Sequence, residues 1–413
     1  MSDTFGAAKP TPSPTVLGPL GVIFLIIGCL MLGLVAPLAA RATAPGFILL
    51  AVLGGGLLVW RDRRLPVLDW SVLVPLLVFI FYGALSITWT LVPKDATGQA
   101  ITFLYEFLPA FLLFPAMVLI SPGAATRLAK LLPLAALVGL LLLGVEVFGD
   151  QPIYRLQNGE PPYPWAFVSA VNRASVLVAL MSGPVALLLW RSGRRLMAGI
   201  WLALVTVTCL LSESQSAAAA QLALLGLIAL ALWSPRIAAG IIAVGIVAGM
   251  VFCTPAAQAM LNAGLAQAPW MPHSFQHRIL TWDFVVPFIE QKPWLGWGLD
   301  SARAIPGGKE SFPGTDHWGK LPLHPHNFFL QVRLELGWIG AALVTWLLLA
   351  VLWLLVRLEG QRRVMALALF GTCIFIQCFA YGAWQTWLLC GMLFAFALIE
   401  LAMRVPLVSR GNA

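Results

Sequence analysis

The chain has 413 residues, of which 60% are hydrophobic and 10% charged, and its mean hydropathy is +0.90. These values exclude a soluble globular domain and a single-anchor protein, and they predict an all-α polytopic membrane protein. The net charge of +8 does not indicate a nucleic-acid partner, because no basic tract holds more than three Lys or Arg close together. Membrane lipids are the expected surroundings.

Apolar runs of spanning length predict about twelve transmembrane helices. The polar, Pro-rich tail 1–15 precedes an apolar run without a convincing cleavage site, so this run is interpreted as a retained span and not as a signal peptide. Segments 45–60 and 197–211 are short for a span and could be half-spans. The predicted spans are 16–39, 45–60, 67–91, 101–120, 128–148, 169–190, 197–211, 215–233, 237–253, 326–356, 364–381 and 384–404.

The distribution of Lys and Arg in short loops predicts the orientation of these spans. The short loops of one side carry only Arg41, Lys94 and Arg155. The other side, which holds both termini, carries fifteen: Lys9, Arg61, Arg63, Arg64, Arg127, Lys130, Arg191, Arg194, Arg195, Arg236, Arg357, Arg362, Arg363, Arg404 and Arg410. Both termini are therefore expected in the cytoplasm.

Three regions follow from this topology. Residues 1–253 hold the first nine spans, residues 254–325 form one large loop on the outer side, and residues 326–413 hold the last three spans. The loop is too long to be structureless in a compact protein, so a folded cover over a site is expected. Its stretch 275–291 is amphipathic and suited to the membrane surface.

Candidate catalytic groups gather in and beside this loop. All five histidines lie between positions 273 and 326. His326 follows Pro325 at the expected start of a helix, where backbone N–H groups disfavour imidazolium, so a neutral base is predicted there. Arg278, Arg173 and Arg333 could converge on a pyrophosphate, which arginine grips bidentately without a metal.

Structural interpretations of the same residues stay open. His326 could cap its helix, Arg278 could extend towards lipid headgroups, and Arg173 could pair with Glu213.

A metal site is not expected. The loop offers only isolated carboxylates, without the clusters that metal-dependent transferases use. The pairs His273 and His277, and His324 and His326, could bind zinc, but no further ligand at a suitable spacing accompanies either pair. No cofactor is predicted.

Three motifs resemble those of the bacterial O-antigen ligases, the WaaL group of the wider Wzy-C family. His326-Asn327 is followed after nine residues by Gly337-Trp338-Ile339-Gly340, in agreement with the pattern His-[Asn/Ser/Gln]-x9-Gly-x-x-[Gly/Thr/Tyr]. Upstream, Arg278-x3-Trp282 and the segment 293–298, which contains Gly296 and Gly298, resemble the family's Arg-x3-Trp and Pro-x2-Gly-x-Gly elements.

The resemblance implies a GT-C-like, metal-independent, inverting glycosyltransferase of the inner membrane with a periplasmic active site. Such ligases transfer O-antigen polysaccharide from undecaprenyl pyrophosphate to lipid A-core in lipopolysaccharide biosynthesis. Carried over, His326 would activate the acceptor hydroxyl, and Arg278 would contact the donor's pyrophosphate. Arg173, which follows Asn172, would have a weaker donor-binding role.

One departure and several alternatives remain. Many relatives carry Arg near the position of Gln215, and Arg333 is a candidate replacement for that charge. An O-antigen polymerase or a protein O-oligosaccharyltransferase of the same family would use the same donor. A lipid-linked sugar flippase would be expected to carry functional polar residues through the depth of the bundle, whereas the candidates here lie on the outer side.

Overall fold

The computed structural model describes residues 17–160, 164–313 and 319–407, and for 164–167 the backbone only. Within these residues the fold is all-α, and strand-like pairing is limited to one isolated bridge between Ser311 and Gly319. The predicted tail 1–15 and His317 lie outside the described residues. The α-helices are α1 Pro19–Leu30, α2 Ala36–Leu38, α3 Thr43–Asp62, α4 Trp70–Leu85, α5 Pro93–Ala116, α6 Pro122–Phe148, α7 Pro152–Asn158, α8 Pro164–Arg191, α9 Arg195–Leu211, α10 Gln215–Trp233, α11 Pro235–Asn262, α12 His273–Gln291, α13 Phe328–Val356, α14 Gly360–Gln377 and α15 Thr386–Arg404.

Ten helical segments in the described residues are long and apolar enough to cross a membrane. One of them, Pro19–Leu38, joins α1 and α2 through the π-helical turn Met31–Val35. The apolar helix α9 and the less apolar helix α14 overlap the two remaining predicted segments. The prediction of a polytopic membrane protein is confirmed, while the number twelve stays a prediction.

The helix bounds differ from the predicted ones mainly at polar ends. Helix α11 continues to Asn262, nine residues beyond the predicted end at 253, and includes Pro255. Helix α5 begins at Pro93, eight residues before the predicted start, because Pro fits the first turn of a helix and the polar residues after it still hydrogen-bond helically. The loop with its folded elements therefore runs from 263 to 327.

Two large apolar clusters hold the bundle together. The first is centred on α8, the most deeply buried of the ten described spans, and includes side chains of α1, α3, α6 and α15. The second joins α4, α5, α11 and α13 to α12. Helix α12 buries Ile279, Trp282 and Val286 in this cluster, so its apolar face packs on protein. The loop is thereby fixed to one end of the bundle.

Candidate active site

Helix α13 is interrupted at Gly337, whose φ of 61° and ψ of −158° are not helical. This conformation is essentially restricted to glycine. A Cβ at this position would also collide with the carbonyl group of Trp294. The first Gly of the His-x9 motif is therefore required by backbone geometry.

The segment 293–298 replaces the hydrogen bonds that α13 loses at this break. The amides of Trp338 and Ile339 donate to the carbonyl oxygens of Pro293 and Trp294, at 2.8 and 3.2 Å. In return, the helix carbonyls of Leu334 and Glu335, which would have accepted from those amides, accept from Trp297 and Gly298 at 2.9 and 2.7 Å.

Close approach explains the glycines of the upstream motif. A Cβ on Gly296 would meet the backbone of Glu335, and one on Gly298 would meet Thr90. Both glycines also have positive φ, 67° and 92°. These glycines therefore let the segment dock the loop onto α13.

Glu335 ties three parts of the site together. Its carboxylate accepts hydrogen bonds from the Gln331 amide at 2.9 Å, the Trp384 indole at 2.7 Å and the Asp300 backbone N–H at 2.7 Å. These donors come from α13, the segment before α15 and the loop after Gly298. Glu335 therefore holds these three segments together through its carboxylate.

His326 lies just outside α13, at φ 54°. Asn327 is the N-cap, and its side chain accepts the backbone N–H of Leu330 at 3.1 Å. The capping interpretation of His326 is thus wrong, because its neighbour caps the helix. Because the helix begins at Phe328, His326 and Arg333 do not lie on one face of a common helix.

The environment of His326 fixes both its protonation state and its tautomer. Burial, with a further contribution from the charge of Arg278, lowers its pKa to about 4. Nδ1 lies 2.9 Å from the carbonyl oxygen of Ala380. Because a carbonyl only accepts, Nδ1 carries the proton, and the lone pair is on Nε2. The ring is therefore equipped to act as a base through Nε2.

Trp282 positions the segment that carries His326. Its indole N–H donates to the carbonyl oxygen of Pro325 at 2.7 Å, and its ring packs edge-on against Phe275. Arg278 lies one helical turn earlier on α12, on the same face. The Arg-x3-Trp motif thus joins a cation and an anchor for the histidine segment.

Arg278 of α12 and Arg173 of α8 both act electrostatically on Tyr381. The charges of both act on the Tyr381 phenol, and that of Arg278 also acts on His326 and His324. Burial lowers the pKa of Arg278. The Arg173 guanidinium donates to Ser169 at 2.6 Å, and among the described ion pairs none joins it to Glu213.

Arg333 has a different set of partners. Its guanidinium stacks over the Trp338 ring, 3.3 Å from the centroid, and donates to the carbonyl oxygen of Met250 at 3.3 Å. It is 4% exposed and faces α11. The structure therefore does not bring Arg333 to the group formed by His326, Arg278 and Arg173, because its side chain is engaged at the break in α13.

Sequence reasoning missed the segment 380–385 between α14 and α15. The carbonyl oxygen of Ala380 contacts His326 Nδ1, and the Gln385 amide lies 3.0 Å from His324 Nε2. Gly382 packs so closely on the His324 ring that an added Cβ would lie 2.7 Å from it. The Ala383 amide donates to Gln331 at 2.8 Å. Most of these contacts use backbone atoms, which leave no residue pattern. The polar pair Trp384-Gln385 between two apolar runs was the available signal.

The remaining histidines and Gln215 have local partners. His273 Nδ1 lies 3.2 Å from Gln276 Oε1, and the His277 ring lies edge-on to Phe312. Across the described parts of the chain, no three His, Cys, Asp or Glu side chains are grouped as metal ligands. Gln215 accepts from the Ser274 hydroxyl at 3.4 Å, near the start of α12.

Comparison with known proteins agrees with this geometry. A family model described as Wzy_C, O-antigen ligase, matches residues 200–345, which include Arg278, Trp282, His326 and both ends of the break in α13. The chain aligns with a Rickettsia felis protein named as a polysaccharide ligase at 26% identity, over 94% of this chain and 98% of that protein. These matches support an O-antigen ligase family member.

Two further relatives have similar names. A Rickettsia bellii protein, also named as a polysaccharide ligase, is 27% identical over 91% of this chain and 96% of its own length. A Rickettsia conorii protein with such a name reaches 34% identity over 138 residues, about a third of each chain. The segment 380–385 lies outside the stretch matched by the family model.

Proposed function

We propose that this ligase transfers O-antigen polysaccharide from undecaprenyl pyrophosphate to a sugar of lipid A-core at the periplasmic face of the bacterial inner membrane. The observation that carries the proposal is the pairing of a neutral His326, whose Nδ1 proton is held by Ala380, with the Arg278 cation. This pairing supplies a base for a hydroxyl beside a positive charge for a departing pyrophosphate.

The proposed reaction is one in-line displacement. Nε2 of His326 accepts the proton of the acceptor hydroxyl as its oxygen bonds to the anomeric carbon of the donor sugar. The bond from that carbon to the pyrophosphate oxygen breaks, and undecaprenyl pyrophosphate leaves with the electron pair. Attack opposite the leaving group inverts the anomeric configuration. Arg278 and Arg173 stabilise the charge that develops on the leaving group, and no metal or cofactor is required.

The orientation of the basic loops supports cytoplasmic termini and a periplasmic site. The site groups come from α8, α12, the segment before α13 and the segment before α15, all at the loop-bearing end of the bundle. A flippase would need functional polar groups accessible from both faces, so this arrangement favours a GT-C-like enzyme.

The experiment is metal-free transfer by the purified full-length chain in detergent with EDTA, lipid-linked O-antigen and lipid A-core. His326→Ala and Arg278→Ala are expected to reduce transfer by about 100-fold or more. His273→Ala, on an exposed histidine of α12, and Arg155→Ala, on a partly exposed arginine paired with Asp150 and Glu160, are matched controls that should transfer normally.

Three outcomes would count against the proposal. Transfer at the native rate by His326→Ala would contradict the assignment of His326 as the base. A requirement for added metal would contradict the metal-free mechanism. Elongation of the donor without modification of lipid A-core would identify a polymerase of the same family instead.

A further inference from the structure

Tyr381 carries a buried hydroxyl group that lacks a hydrogen-bond partner among the described residues. Its ring has a clear packing role, lying edge-on to Trp387 with the centroids 5.0 Å apart. Packing explains the ring but not the hydroxyl, because a phenylalanine would fill the same space. Buried hydroxyls are normally satisfied, so an unpaired one requires an explanation.

The surroundings of this hydroxyl are positively charged. The charges of Arg173 and Arg278 both act on it, from two different helices. Within the described part of the chain, neither arginine forms an ion pair with a carboxylate. Two cations thus act on one unsatisfied O–H without a described carboxylate partner, a combination that suits a phosphate group.

The backbone places Tyr381 directly beside the proposed base. The preceding residue, Ala380, is the one whose carbonyl holds His326 Nδ1. Arg278 acts on both Tyr381 and His326, so these groups share one cation. A phosphate bound at Tyr381 would therefore lie next to the reacting end of the donor.

We propose that the Tyr381 hydroxyl donates a hydrogen bond to a phosphate oxygen of the donor's pyrophosphate, between Arg173 and Arg278. The inference rests on the proposed function, from which it takes the identity of the anion. Burial raises the pKa of the Tyr381 phenol, so the group stays protonated and able to donate at physiological pH. Pyrophosphate leaves as a stable anion, so Tyr381 positions and stabilises it without giving up its proton.

The test is direct binding of undecaprenyl pyrophosphate to the purified full-length chain, without acceptor, together with transfer kinetics. Tyr381→Phe keeps the ring on Trp387 and removes only the hydroxyl. We expect about 10-fold to 100-fold weaker binding and a higher donor KM, with unchanged thermal stability. Tyr105→Phe is the matched control, because that hydroxyl is exposed and contacts only Thr102 in the described structure.

The two levels of the proposal fail in different ways. If Tyr381→Phe binds and transfers like wild type, or loses thermal stability with unchanged binding, Tyr381 has a packing role only, and the ligase proposal stands. If wild type binds the lipid through Tyr381 but does not modify lipid A-core, the phosphate site stands and the acceptor assignment falls. Absence of binding by wild type would overturn both.

Discussion

Nδ1 of His326 lies 2.9 Å from the carbonyl oxygen of Ala380, a residue 54 positions further along the chain. This contact connects the segment before α13 to the segment before α15 and determines which ring nitrogen is basic. Substitution of Ala380 by another small residue would leave it intact, because it uses only the backbone. The orientation of the His326 ring therefore depends on how α14 and α15 pack, and not on a partner side chain.

The first prediction concerns pH. An imidazole with a pKa of 6.5 would be about nine-tenths protonated at pH 5.5 and would lose its base function. Burial and the charges of Arg278 and His277 lower the pKa of His326 to about 4, so kcat/KM should stay nearly constant from pH 8 to pH 5.5 and fall only towards pH 4. A pH–rate profile of wild-type transfer checks this. Half of the activity lost near pH 6.5 would contradict it.

The same lowered pKa predicts that folding stability depends on pH, because the unfolded chain takes up a proton on His326 at a higher pH than the folded chain does. Below pH 6.5 the unfolded chain protonates His326 whereas the folded chain does so only near pH 4, so this histidine destabilises the fold increasingly between those values. Thermal unfolding at several pH values should therefore show that the stability of His326→Ala relative to wild type rises as pH falls through this window. A difference independent of pH would count against the low pKa.

Trp282→Phe should lower the transfer rate by about 10-fold to 100-fold. The ring still packs against Phe275, but the hydrogen bond to the Pro325 carbonyl is lost, and small misplacements of a reacting group can cost about 100-fold. Trp270→Phe, on a tryptophan 73% exposed, is the control and should be neutral. Equal rates in both variants would show that Trp282 does not position His326.

Gly337→Ala should destabilise the protein by about 3 kcal/mol or more, since it forces a side chain into a glycine-only conformation and against Trp294. Gly56→Ala is the control within α3, where an added Cβ meets nothing within 4 Å. Thermal unfolding in detergent should show a lower transition temperature for Gly337→Ala and no lowering for Gly56→Ala. Equal transitions would mean that the break in α13 is not maintained by Gly337.

Arg333→Gln should reduce stability by about 2 kcal/mol through the loss of its buried stacking on Trp338, with the donor KM nearly unchanged. Arg278→Gln should have the reverse pattern, a large loss of transfer with a small change in stability. Kinetics and thermal unfolding of the two variants separate these roles. A large rise in donor KM for Arg333→Gln would restore it as a donor-binding residue.

Most of the bundle could be predicted from the sequence because long apolar runs have few alternatives to a membrane helix. The bounds failed where polar residues continue a helix beyond the apolar run, as at Asn262 and Pro93. The motifs singled out His326, Arg278 and Trp282. The contacts that position these residues join segments far apart in the chain, so the sequence alone could not show them. The donor-binding role of Arg333 stays a prediction, and its stacking on Trp338 beside the break in α13 could not be read from the sequence.

The reciprocal bonding between 293–298 and the break in α13 also constrains how substrates can exchange. Moving this part of the loop away from α13 would break four backbone hydrogen bonds and the hydrogen bond from the Tyr82 hydroxyl to the Leu336 carbonyl, and would leave these groups unpaired. Such groups find few replacement partners near a membrane. We therefore expect this edge of the site to stay closed. A bulky lipid-linked substrate would then enter and leave the site laterally, through the lipid.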